Sequence, residues 1–347
     1  VSNIKITMMT HLIRRLIKPF LLVALSFLLI ITACHKPSTL KNNLSATQAK
    51  AASECRVIKH RLGEACIPLE PQRIVVLDVP AILDPLLALG IKPVGTAVDH
   101  FGIGEGWSGK RYFPALLPEL VEGIESVGAE GTPSLEKILK LKPDLILLAN
   151  QSELAYPQLS KIAPAVLIDT WKDRIPIKEN FRQIAKIIGK EKEGETVLAR
   201  YQERVSKFKN QLGDRLRGLE ISVIGYYENQ FDISRNSSHY HQVFQDLDLP
   251  IKPILLKQEN HANISVEKIS DFDADILFIT DYNTPPSPLI YQHPLVQSLK
   301  AVKNGRAYIV DGRIWEFWGP IGMNLFLDDL ETKLRTDFEK LDSRSSS

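Results

Sequence analysis

At 347 residues, with 44% hydrophobic and 24% charged side chains, the chain has the composition of a folded globular protein and length enough for two cores. Four of its 43 basic residues lie within positions 1–33, which hold no acidic residue; the remainder carries 39 basic against 41 acidic side chains, a net charge of −2. That balance supplies no field for a polyanion, so nucleic acid is excluded as a partner.

Phe20 to Ala33 is an apolar run of fourteen residues, whereas a helix needs about 20 to cross the hydrocarbon core. Lys5, Arg14, Arg15 and Lys18 precede it, so residues 1–33 read as the positive region, apolar region and cleavage site of an export signal. Ile31-Thr32-Ala33-Cys34 further resembles the lipobox of bacterial lipoproteins, which implies cleavage before Cys34 and lipidation of its thiol. Two or more acyl chains hold a protein stably at a bilayer, at roughly 0.8 kcal/mol per buried CH2. The expectation is an exported domain on the periplasmic side, attached to the membrane through lipid alone. Residues 34–54, rich in Ser, Thr, Asn, Lys and Ala, predict a flexible tether.

The segment 55–71 begins CRVIKHRLGEACIP and predicts a hairpin, with Val57 and Ile58 on one arm, a turn from His60 to Gly63, and Ile67 on the other. Disulfides persist outside the cytosol, which favours a Cys55–Cys66 bridge over two free thiols; a metal pair lacks further Cys or clustered His ligands. Next, Ile74 to Leu77 reads as a short strand, Ile82, Leu86 and Leu89 as a helix ending at Gly90, and the chain towards Val94 as a second strand.

The stretches PSLEKILKLKPDLILLAN (133–150) and ISVEKISDFDADILFITD (264–281) align without gaps. They share Ser134/Ser265, Glu136/Glu267, Lys137/Lys268, Ile138/Ile269 and Asp144/Asp275, and each predicts a short helix opening on Ser, a turn and a buried strand. An offset of 131 is too long for a solenoid period and implies two similar α/β lobes, at 72–170 and 219–330. LALGIKP (87–93) has a weaker echo in LDLPIKP (247–253). Between the lobes, residues 171–218 carry Phe181, Ile184, Ile187 and Ile188, then Val197, Leu198, Tyr201, Val205, Phe208 and Leu212, at helical spacing. A helical linker is a stiff strut, which predicts little closure on a ligand. Residues 331–347 predict the end of a helix and, after Leu341, a disordered tail.

GEGWSGKR, Gly104 to Arg111, has the spacing of a phosphate-binding loop, but Arg111 stands where Ser or Thr must bind magnesium, and prolines follow where a helix must start. An irregular loop at the lobe's rim is the expectation. His239 and His241 form H-x-H without a nearby carboxylate, which favours solvated loop or helix-start histidines over a metal site. No Ser or Cys has a nucleophile's context, so the chain is expected to bind and not to catalyse. Arg111, Tyr112, Tyr156, Trp171, Arg235, Tyr240, Trp315, Phe317 and Trp318 fall in predicted loops and strand ends. Those ends face the crevice of a two-lobed α/β protein, and core packing is the alternative for any one of them. Aromatic contact area beside bidentate arginines suits a bulky, partly apolar anion bearing carboxylate or hydroxamate oxygens. Glu136 and Glu267 sit in first helical turns, where the helix dipole favours a carboxylate. Their duplication, one per lobe, suggests that they report both lobes to a partner carrying arginines.

From 55 to about 330 the chain resembles the metal-chelate class of substrate-binding proteins of bacterial ABC importers, which serve ferric siderophores, haem and cobalamin. The likeness rests on KHRLGEACIPLEPQRIVVLD, LLALGIKPVG, TPSLEKILKLKPDLILL, LSKIAPAV, SVEKISDFDADILFI, SLKAVKNGRAYIVDG and GPIGMNLFLDDL, in that order. It implies two Rossmann-like lobes joined by a long helix, a ligand cleft between them, no catalysis and no cofactor. It also implies docking of one glutamate per lobe, here Glu136 and Glu267, on arginines of a permease dimer driven by an ATPase. The opening H-x-L-G resembles the ferric-siderophore branch, and cyanobacterial examples carry similar paired cysteines. The expected ligand is therefore an intact iron(III) chelate of citrate or hydroxamate type, held by a monomer through Arg111, Tyr156, Trp171, Arg235, Trp315 and Trp318, with no protein atom on the metal. A haem or cobalamin receptor, a surface lipoprotein without transport, and an exported enzyme are the alternatives.

Overall fold

A computed structural model describes residues 55–98, 118–170, 175–227, 230–234, 239–282, 288–316 and 318–345. Strands β1 (Cys55–His60) and β2 (Gly63–Pro68) pair antiparallel as a hairpin, closed by the Cys55–Cys66 disulfide with its Cα atoms 5.5 Å apart. Ala65 and Ile67 of the hairpin are buried in the core of the first lobe, so the bridge staples a flap that already has an apolar underside.

The first lobe is a six-stranded sheet in the order β6-β5-β4-β3-β7-β8: β3 (Ile74–Leu77), β4 (Gly95–Val98), β5 (Glu125–Ala129), β6 (Thr132–Pro133), β7 (Leu145–Leu148) and β8 (Ala165–Leu167). All neighbours are parallel except β6 on β5. The runs IVVL and LILL are buried at every residue because both faces of the sheet are covered. A π-helical turn over Val79–Leu83 leads into α1 (Asp84–Ala88), and α2 (Leu135–Leu141) opens on Ser134, whose hydroxyl accepts the Lys137 N–H.

The linker comprises two helices, α3 (Ile177–Ile188) and α4 (Glu191–Leu212), separated by Gly189 at a φ of 75°. A side chain at Gly189 would also collide with the Arg56 guanidinium, which donates to the Ile187 carbonyl at 2.7 Å. The left-handed backbone favours glycine here, and a larger residue would also have to displace the tip of the hairpin's arginine.

The second lobe has the order β11-β10-β9-β12-β13: β9 (Ile221–Tyr227), β10 (Gln230–Ile233), β11 (Ala262–Ile264), β12 (Ile276–Asp281) and β13 (Ala307–Asp311). β9, β12 and β13 run parallel and match β3, β7 and β8; β10 is antiparallel to both its neighbours. Helix α5 (His239–Asp246) covers one face, and α6 (Pro320–Ser345) continues past Leu341, where the sequence predicts a tail.

The repeat is visible as structure. Asp144 accepts the N–H groups of Gln72 and Arg73 at 2.7 and 2.9 Å, and Asp275 accepts that of Glu220 at 2.8 Å. Each shared aspartate therefore pins the chain entering the first strand of its sheet. The weaker echo is used differently: just past it Val94 donates to the Ile74 carbonyl at 2.9 Å, whereas in the second lobe Lys252, within it, donates to that of Ile221 at 2.8 Å. In the first lobe the chain continues into β4. In the second it makes a single bridge at Ile251, and β10 takes the neighbouring place.

Helices join the lobes. Asn180 donates to the Ala81 carbonyl at 2.7 Å, and the Ile177 N–H reaches the Gln242 side chain at 2.9 Å. Asp84, buried at the start of α1, accepts the Ile321 and Gly322 N–H groups at 3.0 and 2.8 Å, satisfying orphan donors at the start of α6. Gly319 permits that approach, since a Cβ there would overlap the Asp84 carboxylate.

Candidate functional site

In each sheet the chain runs outward from its first strand and then returns to the other side, so a switch point opens at the carboxyl ends of β3 and β7, and of β9 and β12. Open α/β sheets bind ligands at such crevices. The connection after β3 meets the one after β13 where Asp84 holds Ile321 and Gly322.

The rim of the first lobe is a fixed polar network. Asp78 accepts the Ala81 N–H at 2.6 Å and buried Glu130 accepts that of Val79 at 2.9 Å. Asn150 donates to Asp169 at 2.8 Å, while Arg61 of the hairpin turn bonds Asp169 at 2.8 Å and Glu153 at 2.6 and 2.7 Å. The hairpin thus closes down two carboxylates of this rim.

The rim of the second lobe is aromatic. Tyr227, 46% exposed, meets Tyr282 edge to face with centroids 6.0 Å apart, and the Tyr282 hydroxyl donates to Glu316 at 2.6 Å. Burial, reinforced by the Glu316 charge, raises the Tyr282 pKa well above its ordinary value, so this hydroxyl keeps its proton. Trp318 packs on His239 with ring centroids 4.0 Å apart. On β10, burial raises the Asp232 carboxyl, and His261 stands 3.7 Å away.

The repeated glutamates lie on the surface in unlike settings. Glu136, with 77% of its side chain exposed, pairs with Lys140 at 2.7 Å one turn on. Glu267 is exposed at the start of a 3-10 helix, Val266–Phe272; its own backbone N–H and the Ser265 hydroxyl hold its carboxyl below the usual range. Ser265 makes no cap, unlike Ser134, because its hydroxyl serves Glu267 instead. Beside it a cavity of about 570 Å³ opens between β10, β11 and the segment around Ile290 and His293.

A family model described as periplasmic binding protein matches residues 75–314, which span both sheets. The chain belongs to the periplasmic binding protein family. Within it, the chain is 33% identical over 333 residues to the probable siderophore-binding lipoprotein YfiY of Bacillus subtilis, covering 90% of this chain and 96% of that one. It is 32% identical over 295 residues to the Fe(3+)-citrate-binding protein YfmC of the same organism, covering 83% and 87%. The solved structure of SirA from Staphylococcus aureus, complexed with staphyloferrin B, aligns at a TM-score of 0.67 and 29% identity, over 81% of this chain and 98% of that one. These periplasmic binding proteins share the two-lobed α/β architecture.

Arg111, Trp171 and Arg235 lie outside the described residues, as do Cys34, Tyr112, Phe317 and the GEGWSGKR loop. Tyr156 stands edge-on to His60 at 5.4 Å and packs the hairpin onto the first lobe. Trp315 requires a correction. It is 1% exposed, lies 4.7 and 4.8 Å from the rings of Phe278 and Phe326, and donates its indole N–H to Asp329 at 2.8 Å. No surface is left for a ligand, because the turn from β13 into α6 swings the indole beneath the sheet. Tyr240 is likewise buried in that core. His239 and His241 stand at a helix start, as expected, in the first turn of α5, but they are buried and not solvated; burial pulls His241 down to about 4, leaving its imidazole neutral. Among the described residues no group of His, Cys, Asp and Glu is gathered closely enough to hold a metal ion.

Sequence reasoning passed over Tyr227 and Tyr282. A signal was present: each ends or directly follows a buried run, ISVIGYY and ILFITD, where the carboxyl end of a parallel strand reaches the rim.

Proposed function

We propose that this protein captures an iron(III)–siderophore complex of citrate or hydroxamate type and delivers it to the permease dimer of an ABC importer. It acts as a monomer, tethered to the membrane through lipid on Cys34. The observation that carries this reading is the 33% identity over 90% of the chain to a protein named as a siderophore-binding lipoprotein. The two switch points support it, since they offer a crevice between lobes whose sheets are joined by helices and not by free strands. Tyr227, Tyr282 and Trp318 supply aromatic contact area in the second lobe. Arg111, Trp171 and Arg235 remain proposed partners for the anionic oxygens of the chelate, and the chelate is held whole, without iron entering a protein ligand sphere.

Glu136 and Glu267 dock on permease arginines. Their exposure supports this, as does the repeat that places one carboxylate on the same element of each lobe.

The test is tryptophan quenching of the domain from Cys34 onward, with Cys34 replaced, against ferric citrate, a ferric hydroxamate, a ferric catecholate, haemin and cobalamin. Saturable quenching by a ferric citrate or hydroxamate alone is expected. Saturation by haemin or cobalamin only, or silence from folded protein, would overturn the reading. For docking, Glu136→Ala with Glu267→Ala should abolish import while leaving chelate affinity unchanged.

A further inference from the structure

The cavity beside Glu267 lies wholly in the second lobe. Phe231, Ile264 and Ile290 give it an apolar floor, and Asn263, Ser265 and His293 form a polar rim. Ser265 both lines the cavity and donates its hydroxyl to the Glu267 carboxylate, so the charge stands one hydrogen bond from the opening. A chelate gripped between two lobes draws contacts from both, whereas every residue lining this cavity belongs to one.

Charge and shape together specify the occupant. The Glu267 carboxyl is held in its anionic form, and His293 adds only a weak positive influence there, so the surface calls for a stronger cation from outside. An exposed ion pair contributes little affinity by itself. Interfaces gain most from an apolar side chain seated in a pocket that excludes water around it. We infer that the cavity receives an aliphatic or aromatic side chain of the importer's membrane subunit, carried on the same short segment as the cation that meets Glu267. This rests on the docking reading above and gives the second lobe an apolar anchor beside its glutamate.

Asn263→Trp fills the mouth from an exposed position on an edge strand, where the Asn263 side chain donates to Gln230 of the neighbouring strand at 3.0 Å. Gln230→Trp does so from the neighbouring strand and serves if the first variant melts early. Both are expressed as the full lipid-anchored chain in cells lacking the native gene. Uptake of radioactive iron is measured with ferric citrate and with a ferric trihydroxamate, and chelate affinity by quenching. Uptake should fall about tenfold or more while affinity stays within about twofold of wild type. Wild-type uptake in a folded Trp variant overturns the inference; if the Glu136→Ala, Glu267→Ala protein still fails to import, docking itself stands. Wild-type uptake by that double variant too would sink both. Loss of chelate affinity in Asn263→Trp would assign the cavity to the ligand and overturn the inference by another route.

Discussion

Asp337 on α6 offers the sharpest test of how the second lobe is held. It is 0% exposed and accepts hydrogen bonds from Arg306 Nε at 2.9 Å, from Arg306 Nη2 at 2.6 Å and from the Tyr308 hydroxyl at 2.9 Å. Arg306 leads into β13, so the cluster pins the final helix to the last strand of the sheet. Asp337→Ala leaves a buried guanidinium without its counter-charge, which costs about 3–5 kcal/mol. At about 2–4 °C per kcal/mol for a domain approaching this size, the melting temperature should drop by roughly 6–20 °C. Replacing both charges, Arg306→Met with Asp337→Leu, removes the desolvation cost along with the attraction and should restore most of the loss. The assay is thermal and urea unfolding at one fixed pH. Asp337→Ala within about 1 kcal/mol of wild type, or a double variant no better than the single one, would refute the assignment.

Asp84 should make stability depend on pH. Burial raises its carboxyl from 3.8 to about 7, against the Gly322 and Ile321 N–H groups that favour the anion. A raised acid favours folding below its unfolded value and loses that contribution as pH rises through its folded value, here by up to about 4 kcal/mol between pH 4 and 8. Urea midpoints across that window should fall in wild type relative to Asp84→Asn, and parallel profiles would contradict the burial argument. Reducing the Cys55–Cys66 bridge, which spans a sequence separation of 11, should destabilise the domain by about 3 kcal/mol, read from urea unfolding with and without reductant. Trp315→Phe should lose stability by about 1–3 kcal/mol through its cavity and the lost hydrogen bond to Asp329, yet leave chelate affinity unchanged. Loss of affinity at full stability would return Trp315 to the ligand site.

Local pattern carried much of the architecture. A period of 3.6 in the apolar residues is sufficient for α3 and α4, because one face of each helix must meet a core whatever the partner is. The hairpin was equally legible, since turn residues between two β-branched arms specify their own pairing. The repeat at an offset of 131 showed two lobes, because duplicated elements bury equivalent faces. Family motifs extended that reading to the class of ligand.

What the tertiary structure alone decided concerns contacts between residues far apart in the chain. Asp84 and Gly322 are separated by 238 positions, and no local pattern announces that a carboxylate in the first helix will satisfy the start of the last. Trp315 and Trp318 are near neighbours in one aromatic cluster, yet one is sealed in the core and the other lies against His239 towards the rim. Composition assigns them the same chemistry; only the direction of the chain as it leaves β13 separates them. The two glutamates of the repeat share the pattern Ser-x-Glu-Lys-Ile and differ one turn on, where Lys140 is matched by Asp271; only the fold shows that β10 and β11 build a cavity beside Glu267. Periodicity reports which face of an element is buried, and the identity of the neighbour on that face is set by the packing of the whole chain.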